Sequence, residues 1–124
     1  MDGMQQPGGV DDTFADILAR DGRYDPMVYV FTLAQFAKLF EGNEGRNVTS
    51  ADFLEEFRAS ALDEFGPMAY AVMRSWGLEN CTDIGEVVFN LVESGRLGKS
   101  ESDKRADFIG GFDFKTEFLD PFAA

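Results

Sequence analysis

Residues 25–41 read DPMVYVFTLAQFAKLFE, and the fold class turns on this stretch. Asp25 can cap a helix, and Pro26 suits the first helical position, where a missing N–H costs nothing. Tyr24 and Tyr29 have the spacing of a hydrophobic staple across that start. Met27, Val28, Val30, Phe31, Leu33, Ala34, Phe36, Ala37, Leu39 and Phe40 then almost encircle a helix. Thr32, Gln35 and Lys38 form its one narrow polar stripe. A helix apolar nearly all round is covered on several sides, so the stretch predicts a central helix, or one covered partly by a partner.

Upstream, Phe14, Ile17 and Leu18 share one face of a short helix over residues 13–20, with Gly22 available as a left-handed stop. Residues 1–12 (MDGMQQPGGVDD) have the composition of a disordered tail.

Downstream, a loop leads to Thr49, which with Asp52 three residues on forms a capping box. The helix that follows carries Phe53, Leu54, Phe57, Ala61 and Phe65 on one side and Asp52, Glu55, Glu56 and Asp63 on the other. Gly66-Pro67 ends it and opens a fourth helix over residues 67–76. Gly77 caps that helix and Leu78 folds back on Met73. A fifth begins near Thr82 and stops at Gly95, with Ile84, Val87, Val88, Leu91 and Val92 inward and Glu86, Asn90 and Glu93 facing away.

Residues 99–105 are polar, with a helical turn expected after Ser102. Phe108, Ile109, Phe112, Phe114, Phe118, Leu119 and Phe122 then crowd around Gly110-Gly111. Burying one such side chain gains roughly 1.5–3 kcal/mol, so this segment either lies across the helices as a clasp or binds another chain. The expected fold is mainly α: a compact bundle of about five helices in a single domain over residues 13–124, with an irregular phenylalanine-rich end and room there for a small β wing.

Acidic residues number 23 and basic ones 11 in 124 residues, a formal charge of −12. Phosphate polymers and anionic membranes are attracted by cationic surface. Here the basic residues are scattered, with only Lys104 and Arg105 adjacent. Three helices followed by a wing is a DNA-binding arrangement, but the helix that would enter the groove, residues 82–94, has no lysine or arginine. A nucleic-acid-associated role is therefore disfavoured.

No apolar run approaches the roughly 20 residues of a membrane span, and residues 1–10 lack the features of a signal peptide. A cytoplasmic setting is expected. In it the sequons at Asn47 and Asn80 act as polar helix starts.

Histidine is absent and Cys81 is the single cysteine. Ser-His and Cys-His catalysis within one chain and an intramolecular disulfide are thereby excluded. Cys81 at a helix start has its thiol favoured by the helix terminus and opposed by Asp83. The plainer expectation is a small packing residue. Glu55, Glu56, Asp63, Glu64, Glu86 and Glu93 offer carboxylates for a magnesium or calcium site or an acid/base pair. Most face away from the apolar stripes, as a solvated surface would. Residues 41–52 imitate a calcium-binding helix–loop–helix, but Gly45 supplies no side-chain oxygen and Arg46 would place a cation beside the ion. No cofactor, metal ligand or catalytic residue is assigned.

Several segments together resemble a bacterial family of small conserved hypothetical proteins found mainly in planctomycetes and verrucomicrobia. They are Phe65-Gly66-Pro67-Met68-Ala69, Ser75-Trp76-Gly77, the run from Asp83-Ile84-Gly85-Glu86 to Glu93-Ser94-Gly95, and Gly111-Phe112-Asp113-Phe114. The earlier Arg20-Asp21-Gly22-Arg23-Tyr24 fits as well. Asn47 stands where that pattern commonly has histidine, and Ile84 where it has phenylalanine. The resemblance implies a lineage and no activity.

Two functional classes remain. The first is a non-catalytic protein-interaction domain, with a protein partner or a homodimer, using Phe36, Phe40, Trp76, Phe112 and Phe114 as contact or clasp residues. The second is a small carboxylate-dependent metal-binding protein or enzyme.

Overall fold

A computed structural model describes residues 10–42, 48–98 and 105–123. Among them the chain is mainly helical and has no strand. A turn, α1 (Val10–Thr13), runs into α2 (Ala15–Arg20). The longer α3 (Met27–Gly42) and α4 (Ser50–Phe65) follow, then α5 (Ala69–Ser75) and α6 (Cys81–Glu93). Five helices, α2–α6, pack compactly.

The local signals hold where they are self-contained. Asp25 Oδ1 accepts the Met27 N–H at 2.8 Å and so starts α3. Thr49 and Asp52 form the reciprocal capping box of α4, at 3.0 and 3.1 Å. Asn80 accepts the Asp83 N–H and opens α6. Gly77, at φ 93°, ends the α5 segment, and the Leu78 N–H returns to the Met73 carbonyl at 3.0 Å.

Other expectations are corrected. The first helical segment begins at Val10 rather than Thr13, so residues 10–12 of the expected tail are helical; residues 1–9 lie outside the described residues. Gly22 is not left-handed. Instead α2 ends on extended Asp21, whose N–H bonds the Ile17 carbonyl. Among the described residues no β wing forms: the C-terminal part is built from short helical turns at Arg105–Phe108, Lys115–Leu119 and Asp120–Phe122. The turn expected after Ser102 is described only from Arg105 onward.

The two largest corrections concern which way polar residues face. In α3, Thr32 and Gln35 are buried, and of the expected polar stripe only Lys38 is exposed. In α6, Asn90 is buried rather than turned away. The reason in α3 is packing area. Tyr29 and Phe31 are buried on either flank of the inward side, and each such ring covers about 150–250 Å². That outweighs the cost of taking one hydroxyl and one amide inside. Consequently Met27, Val30 and Phe40 are left exposed at 43%, 40% and 52%.

The core is aromatic. Phe31 sits at 5.0 Å from Phe57 and 5.4 Å from Trp76, and Phe36 stacks on Phe53 at 4.2 Å. The C-terminal turns close over it. Phe108, Phe114 and Phe118 are buried in their own chain, and Phe118 lies within 5.5 Å of the rings of both Phe112 and Phe114. Arg58 of α4 pairs with Glu117 at 3.6 Å across this seam.

Candidate functional site

Three places combine shape or chemistry enough to be considered. The first is a groove along α3. Its floor holds Phe31 and Gln35, and one wall is Phe65 and Trp76, which follow from the end of α4 and the end of α5. The Trp76 indole meets Phe65 edge-on at 5.6 Å. Met27, Val30 and Ala34 form the other lip, and Lys38 and Glu64 close the polar end. The volume is about 340 Å³. Gln35 Nε2 donates to the Phe31 carbonyl at 3.1 Å, while its Oε1, buried, has no hydrogen-bond partner among the described residues. The Thr32 hydroxyl is in the same position.

The second is a polar network where α2, α3 and α6 meet. Arg23 grips Asp21 with two bonds of 2.8 and 2.7 Å and reaches Glu86 at 3.4 Å. Asn90 Nδ2 donates to Asp21 Oδ2 at 2.9 Å and to the Tyr29 hydroxyl at 3.1 Å. The Tyr24 hydroxyl donates to Asp83 at 2.7 Å. The Arg23 guanidinium, and then the Asn90 amide, hold the Asp21 carboxyl well below the usual carboxylate range. Burial, and then the bond to Asp83, push the Tyr24 phenol far up. Each group is satisfied by another, which suits a fastening rather than a reacting centre.

The third is a cleft of about 370 Å³ at the start of α6, bordered by Asn80, Cys81 and the Gly110-Gly111-Phe112 backbone. Cys81 Sγ donates to the Phe112 carbonyl at 3.4 Å and accepts its N–H at 3.3 Å. Burial pushes the thiol up to about 11, so at neutral pH it is the unreactive form. A Cβ on Gly111 would stand 2.9 Å from both that sulfur and Leu54.

The carboxylates are dispersed. Glu55 pairs with Arg58, Glu86 with Arg23 and Glu93 with Arg20. Glu56 accepts from the Ser60 hydroxyl at 2.7 Å. Asp52 serves its helix cap, and residues 43–47 of the calcium-loop imitation lie outside the described residues. Among the described residues no three cysteine or acidic side chains converge as a metal site, and no helix is long and apolar enough to cross a membrane.

Of the residues singled out from sequence, Trp76 lies at the groove wall and is 9% exposed. Phe36 is half-buried against Phe53, and Phe40 beside it, at 5.8 Å between rings, is exposed. Phe112 is half-buried and Phe114 buried, both within the C-terminal cluster. The five therefore do not gather in one place. Sequence reasoning missed Gln35, Asn90 and Asp21. The signal available for Gln35 was its position on a helix whose remaining polar residues are few.

No protein-family model matches the chain, and neither a curated protein nor a solved structure matches it.

Proposed function

We propose that the chain is a non-catalytic interaction domain whose contact surface is the outward side of α3 together with its groove. One observation carries this reading: α3 turns Thr32 and Gln35 into the core while presenting Met27, Val30 and Phe40 outward. Exposed apolar surface beside a shaped groove is a recognition feature when it is contiguous, whereas isolated apolar residues mean little. Phe108, Phe114 and Phe118 are buried in their own chain, while Ile109, Leu119 and Phe122 stay exposed around them; α3 is preferred because its exposed residues border a groove.

The unreactive Cys81 thiol and the mutually satisfied network around Asp21 support a non-catalytic role. A cytoplasmic setting suits the single buried cysteine. The segments that resemble the planctomycete and verrucomicrobial family support a common lineage.

The test is cross-linking in cells expressing the protein, followed by size analysis, for wild type and Val30→Asp. The expected result is a defined cross-linked species that disappears in the variant, with helicity and melting temperature retained. A protein that stays monomeric, or a species that persists in Val30→Asp, rejects the reading.

A further inference from the structure

We infer that the occupant of the α3 surface is an amphipathic helix of a partner protein that carries lysine or arginine beside its apolar stripe. This rests on the interaction reading above and supplies the chemistry of the partner.

The shape comes first. Met27, Val30, Ala34 and Ala37 are all exposed and recur at spacings of three, four and three residues. That spacing keeps them on one side of α3 over about 15 Å of axis, and it is the spacing of a helix–helix seam. Alanine at 34 and 37 lets a second backbone approach closely. The flexible Met27 adapts to the end of whatever docks. A small molecule would fill the groove against Trp76 and leave the rest of this line uncovered. A helix laid along it covers both, as helix-in-groove partners do.

Charge then chooses among helices. The chain carries −12, so a second copy is repelled at long range. Lys38, the cation at the groove, already donates to Ser60 at 3.2 Å and lies 4.0 Å from Glu56. Glu64, at the same end, is exposed and has no ion pair among the described residues. With Glu56 beside Lys38, this end of the groove carries two carboxylates to one ammonium, and complementary charge both speeds and selects association.

Two synthetic peptides of equal length test this. Both carry the same leucine stripe at helical spacing; one has lysines and the other glutamates on its polar side. Trp76, the only tryptophan, lies in the groove wall and reports binding by its emission. The lysine peptide is expected to bind at micromolar concentration, more weakly as salt is raised, and the glutamate peptide not to bind. Val30→Asp should weaken the lysine peptide by roughly tenfold or more, although it makes the protein more acidic. Ala34→Gln, which adds bulk without charge, should do the same and stands in if Val30→Asp does not fold.

Equal binding of both peptides, or undiminished binding to both variants, overturns the inference, since non-specific attraction would explain it. If the protein alone forms a dimer that Val30→Asp dissolves, the occupant is a second copy. The partner chemistry then falls while the interaction reading stands. If no peptide binds and cross-linking is also unaffected by the variants, both fall.

Discussion

Phe108 lies directly on the backbone of Gly85: a Cβ at position 85 would come within 2.8 Å of the Cβ and Cγ of Phe108. Alanine in an open helix interior is more stable than glycine by about 1 kcal/mol. In the middle of α6 the sign should reverse, because the C-terminal turn cannot move off without uncovering Phe108. Gly85→Ala is expected to destabilise the fold by about 1–3 kcal/mol, the usual cost of overpacking. Urea unfolding followed by circular dichroism measures it.

Asp21 links acid stability to one carboxyl. Its folded pKa lies below the usual value of 3.8, chiefly because Arg23 bonds it and secondarily because Asn90 does. A lowered folded pKa gives stability that is complete above the unfolded value and is lost as pH falls through that value toward the folded one. The stability difference between wild type and Asp21→Asn should therefore be constant above about pH 5 and shrink below about pH 4. Urea titrations of both proteins across that range check it, and a difference that grows on acidification contradicts it.

Cys81 should resist labelling. With the thiol at about 11 against an ordinary value of 9.0, the thiolate fraction at pH 8 falls roughly a hundredfold, and labelling slows at least in proportion. The sign is fixed by the raised pKa: stability is whole below pH 9 and declines as pH rises through 11. The rate of reaction with a disulfide reagent, native against urea-unfolded, gives the ratio. A native rate close to the unfolded one would refute the burial of this sulfur.

Phe114 is 4% exposed and faces Phe112 and Phe118. Phe114→Asp places an unpaired charge there and should cost about 3–5 kcal/mol, seen as a large fall in melting temperature. If these turns instead served mainly to hold another chain, the variant would melt normally and lose only association.

The parts of the fold that were legible are those whose cause is a few residues long. Thr49 with Asp52, Asp25 before Pro26, and Gly77 with Leu78 each satisfy helix-end groups from within their own segment, so their spacing is enough. The orientation of α3 was not legible. With apolar residues on nearly every side, inwardness is decided by which rings find partners, and Phe31 finds Phe57 and Trp76 far along the chain. Asn90 falls beside Glu86 and Glu93 along the helix, and that spacing alone puts it outward. Its place inside depends on Tyr29 and Asp21, 61 and 69 residues away. The need to bury the C-terminal phenylalanines was plain, but glycine 85 as the seat for one of them was not. For the candidate surface, sequence supplied Trp76 and the apolar excess of α3, and missed the groove that joins them.

The fastening of α2 sets an order on synthesis. Asp21 waits for Asn90, Arg20 for Glu93, and Asp16 and the Thr13 carbonyl for Arg96. A chain emerging from the ribosome amino end first thus makes Phe14 long before Arg96 arrives to lie over its ring at 5.1 Å. α2 is therefore made well before its polar fastenings to residues 90–96, and a nascent chain stalled before Asn90 holds it by contacts such as Phe14 against Tyr29.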